Sequence, residues 1–300
     1  MKLSRIAVRI MIDRLLPNRP VRRRVRGIEL VLPRRHLFPY MAVEGSPYAQ
    51  NLVDLAVLLG RTTDDLVVLD VGANVGDSAL LILDRVKCRI VCVEGDPKWL
   101  TFLEQNVGHV PDVAIAPVLI SSAGAEQFVS IVHADAGTSQ LRPVTETAGG
   151  VRTVPIDQLM VTHPELENVR LVKSDTDGFD VELVMSYARA FSGSRPVLFF
   201  EYDPRATRIV TPHLTPSAVF DDLAELGYEH AVVWTNGGHV IGSSSVRGLT
   251  ARSRVLEESP QDLRYDFWDV AVAHRDDPSG IAALQQLATR GVQWPADGRF

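Results

Sequence analysis

One run constrains this chain more than any other: Val67-Val68-Leu69-Asp70-Val71-Gly72-Ala73-Asn74-Val75-Gly76. Residues 66–69 are continuously apolar and are closed by the acid Asp70. An apolar run without alternation reads as a strand buried on both faces. A tight turn must follow. Gly72 has no side chain and tolerates positive φ, so backbone there can approach a ligand closely, and Gly76 lets the next helix start near the strand. A strand buried on both faces needs helices above and below it, so the rest of the chain has to supply them.

It does so by alternation. Helical patterns are predicted over 77–86, 97–107, 179–191 and 216–226, the second opening on Pro97 as first turns often do. Buried strands are predicted over 89–94, 113–121, 169–173, 196–201 and 267–273. Extended pieces at 128–132 and 151–154 flank a polar loop at 134–139. Asn236-Gly237-Gly238 marks a hairpin between 231–234 and 240–241. Strands alternating with helices imply a doubly wound, mostly parallel sheet, Rossmann-like, with ligands beyond the carboxyl ends of its strands. Residues 1–60 are expected to form a basic N-terminal arm and a helix, 61–276 the main domain and 277–300 a tail.

The apolar fraction of 46% and charged fraction of 23% are ordinary for a soluble globular protein. No apolar run is long enough to suggest a transmembrane helix, and the N-terminus lacks the pattern of a secretory signal. Cys88 and Cys92 fall in or beside a buried strand and read as reduced core thiols of a cytoplasmic protein. The net charge of −6 hides an asymmetry: residues 1–35 hold eleven Lys and Arg against two acids, so this segment carries +9 and the remainder −15. With Ile6, Val8, Ile10, Met11, Leu15 and Leu16 interspersed, the arm suits either peripheral contact with a membrane surface or packing against the main domain or a second subunit in a homo-oligomer.

The glycine turn points to a nucleotide-type cofactor. Glu94 lies 24 residues after Asp70, at the tip of the second strand, where an acid can accept hydrogen bonds from both ribose hydroxyls. A dinucleotide fingerprint would read G-x-G-x-x-G; here Asn74 replaces its second glycine. S-adenosylmethionine has no phosphate and needs an acid near its amino group, so Asp70 with Gly72 suits it better.

Residues 64–204 resemble the FkbM-type methyltransferases. Asp70 to Gly76 matches that family's D-x-G-A-N-x-G run. Glu94-Gly95-Asp96-Pro97 approximates its E-P pair, and Ser121-Ser122-Ala123-Gly124 its small-residue turn. Lys173-Ser174-Asp175-Thr176-Asp177-Gly178-Phe179-Asp180 resembles K-x-D-x-E-G-x-E with both Glu positions shortened to Asp, and 197–201 matches an apolar strand ending in Glu. The resemblance implies a seven-stranded class I methyltransferase-like sheet. It also implies an S-adenosylmethionine site using Asp70, Gly72, Asn74, Gly76, Glu94, Ser121 and Ser122, and methylation of a hydroxyl on a sugar, glycan or natural product.

In such a protein the fourth strand tip faces the reactive methyl. Asp175 there can take the acceptor's proton or orient its hydroxyl. Lys173 can stabilise the developing alkoxide, and His133, in the polar loop, can serve as a base. Asp177 and Asp180 suit the first turn of the following helix as caps. A second arrangement places magnesium between Asp175, Glu201 and Asp203. His36 and Tyr40 could form a lid. The basic arm favours a lipid-linked or phosphate-bearing acceptor. Nucleic acid is disfavoured by the acidic main body. A nucleotide-dependent reductase and a non-catalytic S-adenosylmethionine-binding protein are the alternatives; the first would call for a Tyr-x-x-x-Lys pair that the chain lacks.

Overall fold

The computed structural model describes residues 2–122, 128–133, 139–144, 151–254 and 267–292. Helix α1 (Lys2–Leu15) leads into a hairpin, β1 (Pro20–Val25) and β2 (Ile28–Pro33), then two helices, α2 (Phe38–Met41) and α3 (Gln50–Gly60). The alternation follows: β3 (Val67–Val71), α4 (Asp77–Leu83), β4 (Arg89–Val93), α5 (Pro97–Val107) and β5 (Val113–Ala116). An insertion comes next, with β6 (Leu119–Ser121), β7 (Phe128–His133), β8 (Ser139–Val144), β9 (Val151–Pro155) and α6 (Ile156–Thr162). The chain returns through β10 (Leu171–Ser174), α7 (Asp180–Ala190), β11 (Val197–Tyr202), α8 (Pro204–Val210) and α9 (Ala218–Glu225). It closes with β12 (Tyr228–Thr235), β13 (Val240–Ser245), α10 (Val246–Arg252), β14 (Trp268–His274) and α11 (Pro278–Arg290).

Eight strands form the main sheet, in the order β13-β12-β14-β11-β10-β3-β4-β5. This corrects the expectation of seven mostly parallel strands. The five from β5 to β11 are parallel, but β14 is antiparallel to both of its neighbours and β13 is antiparallel to β12. The extra strand arises because the Asn236-Gly237 turn extends β12 into a full hairpin arm. From β3 the chain winds outward through β4 and β5, then returns to place β10 on the other side of β3. The gap between β3 and β10 is thus the switch point where such sheets bind ligands.

Alternation along the strands feeds two cores. Val68, Ile90, Cys92 and Leu171 pack with α3, α4, α5 and α11, whereas Val67, Leu69, Val91 and Val172 pack with α6, α7, α9 and α10. Cys88 and Cys92 are buried and unbridged, and burial pushes the Cys88 thiol up to about 12. The predicted strand over 113–121 divides in two: β5 joins the main sheet, and β6 joins a four-stranded sheet ordered β6-β9-β7-β8.

Residues 2–35 are not helical throughout, as the expected basic arm would be. Their second half is the β1–β2 hairpin, with Leu30 and Leu32 in the core. Asn106 on α5 clamps β2, donating to Val31 O at 2.8 Å and accepting from Val31 N at 2.7 Å. Propensity could not show this, because Arg22, Arg23 and Arg24 mask a strand that gives the core only Val25, with Val21 packed against it.

Candidate functional site

The turn after β3 has the backbone its glycines allow. Gly72, Asn74 and Gly76 all have positive φ, at 72°, 50° and 82°. At Gly72 this freedom is obligatory, since a Cβ would stand 2.0 Å from the carbonyl oxygen of Asp175. Asp175 N donates to Val71 O at 3.1 Å, so the tips of β3 and β10 meet main chain to main chain. Gly76 faces Leu103 and Val107 on α5 and serves helix packing.

Beneath this turn lies a buried ion pair. Asp70 is fully buried, with the Lys173 ammonium 3.0 Å from its Oδ1. Lys173 also donates to Gly72 O at 2.9 Å and Val71 O at 3.4 Å, and lies 3.8 Å from Asp175 Oδ2. Burial alone would push the ammonium down; Asp70 and Asp175 outweigh it and hold its pKa above the ordinary value. Lys173 therefore fastens the turn, and Asp70 meets the chain's own lysine rather than facing the cleft.

Glu94 follows β4 and is 7% exposed. Its Oε2 accepts from Asn74 N at 2.9 Å and its Oε1 from Asp96 N at 2.8 Å. Each oxygen keeps a second lone pair for a ligand hydroxyl. Burial, partly offset by the Asp96 and Asn74 amides, raises the carboxyl to about 7. Asp96 caps α5 by accepting from Lys98 N at 2.9 Å. His36 Nδ1 accepts from Phe38 N at 3.3 Å, which leaves Nε2–H to donate to Asn74 Oδ1 at 3.3 Å, and its ring meets Trp99 edge-on at 5.8 Å. Burial, partly offset by the hydrogen bond to Asn74, holds the His36 pKa below its ordinary value.

Two chambers open at the switch point. The narrower, about 80 Å³, runs from Gly72 and Glu94 past Trp99 to an apolar wall of Ile120, Ile131, Phe179 and Leu183. The wider, about 430 Å³, is bounded by residues 36–52 on one side and by Glu201, Asp203 and Asp269 on the other. Gly72, Asn74, Asp175 and Asp177 line both. Asp175 forms the partition, with its side chain 55% exposed.

The wider chamber is acidic. Asp77, Asp175, Asp177, Glu201, Asp203 and Asp269 line it, with Lys173 as its single Lys or Arg among the described residues. Burial, reinforced by Asp175 and Asp180, holds the Glu201 carboxyl well above its usual range. Burial raises Asp269 to about 7 despite a 3.0 Å hydrogen bond from Asn51 Nδ2, and Asp77 to about 6.

The remaining expected residues fall elsewhere. Ser122 donates to Glu182 on α7, and neither it nor Ser121 lines a chamber; Val118, Leu119 and Ile120 do. Asp180 is a bracket rather than a helix cap, accepting from Ser174 Oγ at 2.6 Å and Thr176 N at 3.1 Å. His133 ends β7, and its side chain lies outside the described residues, as do 134–138. Asp203 caps α8, its Oδ1 accepting from Arg205 N and Ala206 N at 2.9 Å each. Among the described residues no three His, Cys, Asp or Glu side chains converge as a metal's ligands would, so Asp175, Glu201 and Asp203 do not form the expected magnesium set. Tyr40 faces α1, donating to Asp13, whereas His36 does border the wider chamber. Trp99, Tyr48, Asn51 and Asp269 carry no sequence signal of their own; only the fold brings them here.

No family model matches this chain, and no curated protein matches it. Solved structures do. The O-methyltransferase TomG from Streptomyces achromogenes, in complex with SAM, is 12% identical, at 91% coverage of this chain and 99% of that one, with a TM-score of 0.41. A putative O-methyltransferase from Klebsiella pneumoniae is 13% identical, at 75% and 80% coverage, with a TM-score of 0.40. The methyltransferase FkbM from Methylobacillus flagellatus KT is 17% identical, at 56% and 40% coverage, with a TM-score of 0.36. These likenesses stay below a TM-score of 0.5, and the functional reading rests on the site itself.

Proposed function

We propose that this protein is an S-adenosylmethionine-dependent methyltransferase acting on a hydroxyl group of a sugar, glycan or natural product. One observation carries the reading. At the switch point, a glycine turn and a buried Glu94 border a narrow, half-apolar chamber, and Asp175, with Asp177 beside it, stands between that chamber and a second one. The donor set fits the cofactor. Glu94 has lone pairs for two ribose hydroxyls, and the wall from Ile120 to Leu183 suits an adenine ring. With Asn74 on the turn and carboxyl groups on both sides, the site suits a cationic ligand better than a pyrophosphate. Lys173 holds Asp70, so the ligand's amino group would be met by backbone carbonyls or Asp175 instead.

When bound, the cofactor supplies an electrophilic methyl group. This chain's residues do the rest. The wider chamber admits the acceptor, and Asp175 takes or orients the proton of its hydroxyl as the oxygen becomes nucleophilic. The Lys173 ammonium stands 3.8 Å from Asp175 Oδ2, beside the reacting end of that chamber. The acidic lining favours neutral or cationic groups at the reacting end, so a phosphate on the acceptor would lie outside the chamber. Calorimetric titration with S-adenosylhomocysteine and with NAD tests the cofactor. Heat with the first and none with the second is expected; heat with NAD alone would overturn the reading in favour of a reductase.

A further inference from the structure

Helix α1 has two apolar edges. Ile6 and Ile10 are partly buried, and Asp13 on the same side is buried. Asp13 fastens the helix. It accepts from Arg23 at 3.1 and 3.2 Å, from Arg34 at 3.4 Å and from the Tyr40 hydroxyl. Burial opposes its charge, but Tyr40 and the two arginines prevail and hold its pKa below the usual carboxylate value.

The other edge consists of Val8, Met11, Ile12 and Leu15, which are 51%, 58%, 48% and 79% exposed. Their spacing of three, four and seven residues defines one continuous stripe on a helix. The exposed charges on the helix itself are basic, Arg9 and Arg14. The helix's one acid is Asp13, which is buried and neutralised. A stripe of four large apolar side chains edged by guanidinium groups, with no exposed acid on its own helix, matches one solvent boundary in particular.

We infer that this face docks on an anionic lipid surface. The stripe would sink to the boundary between headgroups and acyl chains while the arginines meet lipid phosphates. A second copy of this chain fits less well, because a two-fold contact would set arginines against arginines. The docking has a geometric consequence. Tyr40, tied to Asp13, belongs to the segment 36–41 that borders the wider chamber, where Leu37 is itself 39% exposed. A membrane under α1 would lie near that border, suiting an acceptor hydroxyl carried on a lipid-linked group whose phosphate meets the arginines.

Co-sedimentation of the full chain with vesicles tests this independently of methyl transfer. Vesicles mixing phosphatidylcholine with phosphatidylglycerol should pellet the protein, pure phosphatidylcholine should not, and added salt should release it. Met11→Glu with Leu15→Glu should weaken partitioning about tenfold or more. The packed edge is untouched, so melting temperature and S-adenosylhomocysteine affinity should be unchanged. Arg9→Glu with Arg14→Glu should also lose binding without altering the stripe. Failure of the wild-type chain to pellet with the anionic vesicles would overturn the inference. So would equal pelleting of the Met11/Leu15 variant, or a wild-type dimer that this variant converts to monomer in sedimentation velocity.

Discussion

The two chambers on either side of Asp175 are built by different means. The narrow one has one side made by contiguous chain, a strand tip, its glycine turn and the next strand's tip, with Glu94 held by the Asn74 and Asp96 amides; its apolar wall, from Ile120 to Leu183, is brought in from farther along. The wide one is assembled from segments far apart in sequence, where Asn51 reaches Asp269 across 218 positions. The first is fixed by backbone geometry and suits a constant ligand such as a cofactor. The second is fixed by side chains, and the same fold could exchange them to take another acceptor.

The comparison breaks most sharply at the partition. Asp175→Asn should cut turnover by roughly 10²–10⁴ while changing S-adenosylhomocysteine affinity little. Equal losses in both would assign Asp175 to the cofactor side. Lys173→Met comes next, because it leaves Asp70 charged and buried without its partner. Denaturant unfolding should report about 3–5 kcal/mol lost, and a second change, Asp70→Asn, should recover part of it. Little loss would mean that the ion pair does not fasten the turn.

Smaller effects separate the chambers by pH. Glu94 is raised to about 7, Asp269 to about 7 and Asp77 to about 6. A carboxyl whose folded pKa is raised takes up a proton more readily when folded. Its contribution is present below its ordinary pKa and lost as pH rises through the raised one. The melting temperature of the free protein should therefore fall from about pH 4.5 towards 7, and Asp269→Asn should flatten part of that slope. A curve unchanged in that variant would remove Asp269 from the account. The smallest effect belongs to His36→Ala, which loses the hydrogen bond to Asn74 at the shared wall. About 0.5–1.5 kcal/mol of cofactor affinity should go with it, read by the same titration.

This division also explains what the sequence makes legible. Asp70 to Gly76 and Glu94 are found by reading along the chain, since strand, turn and strand tip are local and their chemistry depends on spacing. The eventual partner of Asp70 is not local. Lys173 lies 103 positions away and reaches it only once β10 pairs with β3 in register, Lys173 opposite Asp70. The β1–β2 hairpin is concealed by its arginines, and the eighth strand by a turn that reads as a short hairpin. Asp203 looks like a ligand in a list of acids, but the proline after it starts a helix that claims its carboxylate. Residues of the wide chamber have no motif, because nothing but tertiary packing relates them.

The central claim is that ionised Glu94 receives the cofactor's ribose. S-adenosylhomocysteine affinity measured across pH, for the wild-type chain and for Glu94→Gln, tests it most directly. The wild-type affinity should rise with pH until it levels above about 7, as the Glu94 carboxyl of the free protein loses its proton. The variant should bind about tenfold or more weakly, with no such rise. Equal affinity, or the same pH dependence in both proteins, would contradict the account.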